Sequence, residues 1–122
     1  MAVAVVRDVR MIIQVTGEID IANVSELDSA LDDAVRASPD GFVVDASGVS
    51  YIDGMGIRAI LGAWQRVKDG GGTLALVSSD VVGRLLNIVG AKGIPCLLTC
   101  ESVQTAVDAL TRCIGNNRCS RV

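Results

Sequence analysis

Residues 42–61 read FVVDASGVSYIDGMGIRAIL, and this stretch decides the fold. The short apolar run over 42–45, ending in Asp45, reads as a buried strand. Ala46-Ser47-Gly48-Val49-Ser50 reads as a turn, with Ser47 and Ser50 as its turn formers. Ile57, Ile60, Leu61 and Trp64 then recur at helical spacing. Between turn and helix lies Asp53-Gly54-Met55-Gly56, a flexible acidic lead into the helix.

Outward from this block the chain alternates strand and helix patterns. Strands are predicted over 2–6, 11–16, 42–45, 73–77 and 96–98, and helices over 24–37, 56–69, 81–89 and 103–114. In the first helix Val24, Leu27, Ala30, Leu31, Ala34 and Val35 form one apolar stripe. Asn23 and Glu26 read as an N-cap with its capping-box partner, and Pro39-Asp40-Gly41 stops the helix. The second helix ends at Asp69-Gly70-Gly71-Gly72. The third faces Val82, Leu85, Leu86 and Val89 inward. The fourth does the same with Val103, Ala106, Val107, Leu110 and Ile114, capped by Ser102. Only Arg7-Asp8-Val9-Arg10 separates the first two runs, which therefore pair as an antiparallel hairpin. The prediction is a single α/β domain over 1–114, a mixed and mostly parallel sheet of about five strands with four helices. Residues 115–122 have no period and read as a mobile tail.

Composition narrows the functions open to such a domain. The 122 residues suffice for one core. Half of them are hydrophobic, and the mean hydropathy of +0.47 is high enough to predict an apolar partner face. No run approaches the roughly 20 apolar residues of a membrane helix. Met1–Val6 lacks the basic lead of a signal peptide, so it reads as an edge strand and the location as cytoplasmic. The net charge of −3, with one Phe, one Tyr and one Trp, argues against nucleic acid as a partner. Histidine is absent, which removes His-based acid–base catalysis, Ser-His-Asp triads and His-containing metal sites. No catalytic residue, cofactor or metal is predicted.

The loop around residue 53 and Asp20 at the end of the second strand both lie at strand carboxyl ends, which brings them together. Asp53 stands just ahead of a helix, where a carboxylate caps free amides and meets the positive end of the dipole. Asp20 reads equally as a loop acid or a helix cap. Met55, between two glycines, is either a first-turn residue tucked into the core or an exposed thioether suited to recognition.

The 42–61 block together with Thr16-Gly17-Glu18-Ile19-Asp20 resembles the STAS family, the fold of anti-sigma factor antagonists. GGGTLALVSS at 70–79 and VVGRLLNIVGAKG at 81–93 keep the family's spacing, and the resemblance spans 2–112. It implies a domain that binds and sequesters an anti-sigma factor of the serine-kinase type. Partner contacts would then fall on Asp20, Ile21, Asn23, Asp53, Gly54, Met55, Gly56 and Arg58. In the family the first hydroxyl after the loop Asp is the one a partner kinase phosphorylates. Here that position is Gly54, so the implied antagonist works independently of phosphorylation. A homodimer is compatible with this reading.

Two alternatives stay beside it. STAS-like subunits also serve other assemblies, such as lipid-transport complexes. The four cysteines, Cys96, Cys100, Cys113 and Cys119, instead raise a thiol-regulated variant. Their spacing fits no ordinary zinc module, and in a reducing compartment the bland reading is idle thiols. Cys113 and Cys119, separated by a short turn, are the easy disulfide pair. A receiver domain would also end a central strand on an acid like Asp45, but the acidic pair after its first strand is absent and Lys92 precedes the last strand.

Overall fold

The computed structural model describes residues 1–91 and 93–116. The chain runs β1 (Ala2–Arg7), β2 (Met11–Ile19), α1 (Val24–Ala37), β3 (Gly41–Ile52), α2 (Gly54–Asp69), β4 (Thr73–Ser78), α3 (Asp80–Ile88), β5 (Leu97–Cys100) and α4 (Val103–Asn116). The five strands lie side by side in chain order. β1 and β2 are antiparallel, as the short connection requires, and β2 to β5 are parallel. Parallel strands laid down in order by crossovers of one hand put every crossover helix on the same face. α1, α2 and α3 do share a face, while α4, which follows the last strand, packs on the other.

The strands supply both cores by alternation. Ile13 and Val15, Phe42 and Val44, and Leu74 and Leu76 point toward α1–α3, where Leu27, Leu31, Ile57, Ile60, Val82 and Leu86 meet them. Ile12, Val43, Ala75 and Val77 point the other way, under Ala106 and Leu110 of α4. Buried on both faces, the first half of β3 (residues 41–46) and β4 read as nearly continuous apolar runs. Each fully buried large side chain contributes roughly 1.5–3 kcal/mol.

The structure corrects several local expectations. Residues 46–50 are not a turn; β3 continues to Ile52. Ser47 has the composition of a turn, but its N–H and hydroxyl both donate to Asp45 Oδ1, at 3.1 and 2.6 Å. The backbone there pairs with an equally extended β2, from Thr16↔Gly48 to Ile19↔Ile52. Beyond Ser47, Val49 and Ile52 return to the larger core. At two places β3 takes one residue more than β2, between Gln14 and Thr16 and between Gly17 and Glu18. Such bulges re-aim a strand end. α2 begins at Gly54 and α4 reaches Asn116, so residues 115 and 116 of the expected tail are helical; residues 117–122 lie outside the described ones.

Candidate functional site

The Asp20–Asn23 loop and the head of α2 meet at the carboxyl end of the sheet. Ile19 pairs with Ile52, and the Asp53 N–H donates to the Ile19 carbonyl at 3.3 Å. Gly56 explains how the helix comes so close. A Cβ there would stand 2.6 Å from Ile52 Cγ1 and 2.9 Å from Ile19 Cγ2, so only hydrogen fits between α2 and the two strand ends. Gly56 is buried, and of the residues assigned to docking it faces inward: it positions the surface and offers none.

Asp53 is the N-cap of α2. Its Oδ1 accepts from the Met55 and Gly56 amides at 3.0 and 3.1 Å, two of the helix's unpaired donors. The capping box expected at Asn23 is absent. Asn23 makes no side-chain cap; its Oδ1 accepts from the Asp20 N–H at 3.0 Å and its Nδ2 donates to the Glu18 carbonyl at 2.9 Å. The amide closes the loop because β2 ends only four residues earlier, leaving backbone groups of Glu18 and Asp20 nearer than the first turn of α1. Asp20 Oδ1 accepts from Ala22 N at 3.0 Å, so its carboxylate shapes the same loop. Asp20 is therefore the loop acid of its two readings.

Apolar side chains stand out from this frame. Ile21 is 75% exposed at the loop's tip, and Met55 is 41% exposed in the first turn of α2. That decides between the two readings of Met55: it is a surface residue. Tyr51, 49% exposed, joins them, although no motif in the sequence marks it. It pairs with Glu18 and, one residue before the inward Ile52, emerges on the opposite sheet face. The turn assigned to 46–50 hid this alternation. Arg58 is exposed as well. Gly54 opens α2 with nothing within 4 Å of where its Cβ would be and no left-handed φ, so neither space nor backbone demands glycine. The first turn, Gly54-Met55-Gly56-Ile57, contains no hydroxyl.

The described cysteines lie elsewhere. Cys96 is buried just ahead of β5, and its carbonyl accepts from Leu74 N at 2.9 Å. Cys100 closes β5, where burial pushes its thiol pKa up. Cys113 Sγ is 3.4 Å from the hydroxyl of the buried Thr73. Cys119, its expected disulfide partner, lies outside the described residues. Among the described residues no group of three or more His, Cys, Asp or Glu side chains is arranged to hold a metal ion, and no helix is long and apolar enough to cross a membrane.

Residues 1–106 match the family model of the STAS domain. Among solved structures, the chain is similar to an anti-sigma factor antagonist from Mycobacterium paratuberculosis, with 23% identity, a TM-score of 0.77, and coverage of 90% of this chain and 93% of that one. It is also similar to a STAS domain protein from Planctomyces limnophilus, an anti-sigma-factor antagonist (18%, 0.75, 89% and 97%). A third is the phosphorylated form of the Bacillus cell fate determinant SpoIIAA (18%, 0.69, 88% and 98%). At these identities the structural likeness speaks to the fold.

Proposed function

The chain belongs to the STAS domain family, and from that premise we propose that it is an anti-sigma factor antagonist that binds a serine-kinase-type anti-sigma factor without a phosphorylation switch at residue 54. The observation that carries the reading is the joined surface at the sheet's carboxyl end. Two loops there, one capped by Asp53 and the other closed by the side chains of Asn23 and Asp20, present Ile21 and Met55 beside the carboxylates of Asp20 and Asp53. Apolar anchors in a polar setting are what a protein interface uses. Asp20, Ile21, Asp53, Met55 and Arg58 are its contacts, with Asn23 and Gly56 holding the frame and Gly54 leaving room at its centre.

A phosphate on a hydroxyl at position 54 would add up to about two negative charges beside Asp53, and repulsion would break the interface. Glycine accepts no phosphate. Ser47, the hydroxyl bound to Asp45, and Ser50 both precede Asp53 on β3. The protein is thus constitutively competent, and it acts by sequestration rather than catalysis, in the cytoplasm where its partner works.

The test is calorimetric titration of the chain with a serine-kinase anti-sigma factor, before and after incubation with ATP. Binding unchanged by ATP, with no phosphate in the mass spectrum, is expected, and Gly54→Ser is expected to fold normally and to restore acceptance. Stoichiometric phosphate on wild-type Ser47 or Ser50 with loss of binding refutes the switchless mechanism. Capture by lipid-transport subunits in place of the anti-sigma factor refutes the partner assignment.

A further inference from the structure

α1 packs against α2 on one flank, but among the described residues no helix covers its other flank. The inner face of β1 is open there. Val3, Val5 and Arg7, opposite Val15, Ile13 and Met11, all point to that side. The result is a groove of about 730 Å³. Its floor is Val3, Val5, Met11 and Ile13, apolar throughout, with Val5 51% exposed. Its wall is the free flank of α1, where Ser29, Ala30 and Ala34 are small enough for another helix to approach closely. Glu26 and Asp33 stand on the helical rim, and Arg7 lies at one end. Asp33 also pairs with Arg36 at 2.7 Å, an exposed contact of the kind that exchanges readily.

We propose that this groove, on a different face from the residue-54 surface, seats a basic amphipathic helix of a partner protein. Such a helix completes the layer that α1–α3 begin. α1 has 14 residues and β1 has six, about 21 and 20 Å at the usual rises, so a partner helix of some four turns matches both wall and floor. Its apolar stripe lies on the valines and its Lys or Arg flank faces Glu26 and Asp33. A second copy would bring the same acidic rim, with Arg7 to answer Glu26 and Asp33, in a chain of net charge −3, and so complements the groove less well than a basic helix.

The test uses the isotopically labelled full chain and a synthetic amphipathic peptide of about 14 residues, roughly four turns, with Leu on one face and Lys and Arg on its flanks. Amide shifts are expected at Val3, Val5, Ser29 and Ala34 and not at residues 53–58. Replacing the peptide's Lys and Arg by Glu is expected to weaken binding about tenfold or more, and Glu26→Lys/Asp33→Lys to reverse that preference. Val5→Glu is expected to abolish binding with its thermal melt unchanged, since Val5 is half exposed. Equal binding of a scrambled peptide, shifts elsewhere, or a charge-reversed protein that still prefers the basic peptide overturns the proposal. Groove shifts that follow protein concentration alone overturn it too, because a second copy would then be the occupant. None of these results bears on anti-sigma factor binding, which is measured at the other surface.

Discussion

Gly54 and Gly56 lie two residues apart in one helical turn, and alanine should act on them with opposite sign. At Gly56 the new Cβ falls 2.6 and 3.0 Å from Cγ1 and Cδ1 of Ile52 and 2.9 Å from Cγ2 of Ile19. Both isoleucines are buried and stiff at χ1, so the helix must lift. Overpacking of this kind costs about 1–3 kcal/mol, against a helix-propensity gain of roughly 1 kcal/mol. Lifting the helix also lengthens the Asp53 cap on the Gly56 amide. The net expectation is a loss of about 1 kcal/mol, a drop in Tm of roughly 3–5 °C for a domain of this size. At Gly54 the Cβ enters open space at an ordinary φ, so Gly54→Ala should stabilise by about 0.4–1 kcal/mol through the unfolded chain. Calorimetric melts of wild type and both variants decide it. A Gly56→Ala protein that melts at or above wild type, or two variants that shift together, would refute the close-approach argument.

Asp53→Ala removes the acceptor for two amides and should cost about 1 kcal/mol in urea denaturation, with Asp53→Asn recovering most of it. Met55→Asp places a charge in the proposed interface beside Asp53, so anti-sigma factor affinity should fall by several kcal/mol in calorimetry while Tm stays near wild type; a large fall in Tm would return Met55 to the core. For Cys100, burial holds the thiol protonated in the folded chain. Alkylation followed by mass spectrometry should label it slowly at neutral pH, more slowly than in urea, and speed up as pH rises past the ordinary thiol range. The sign for stability follows. The unfolded chain loses this proton first, so any contribution from Cys100 lowers stability as pH climbs above the ordinary thiol pKa, and acidification leaves it untouched. Partner affinity should be equal with and without a strong reductant; a tenfold difference, about 1.4 kcal/mol, removed by one Cys→Ser change would make the thiols a switch.

Local chemistry alone was enough for the elements whose signal is their own periodicity. The stripe from Val24 to Val35 can bury one side only as a helix, and a connection as short as Arg7–Arg10 can only turn back on itself. Asp53 was legible as a cap because its partners, the Met55 and Gly56 amides, are its neighbours in sequence. Tertiary structure decided whatever depends on residues distant in the chain. Ser47 to Ser50 look like a turn until β2 supplies a parallel partner as far as Ile19, and Tyr51 reaches the surface only through that extension. Asn23 has the composition of a cap, but its amide goes to Glu18 and Asp20 because β2 delivers their backbone first. Gly56 reads as flexibility and proves to be a point of close packing, since the atoms that exclude a side chain there belong to Ile19 and Ile52. The groove beside α1 is visible in no stretch of sequence, because its floor and wall join only when β1 folds back along β2. Periodicity and capping act over a few residues and can be read along the chain; pairing and exclusion act across the sheet, between residues that only folding brings together.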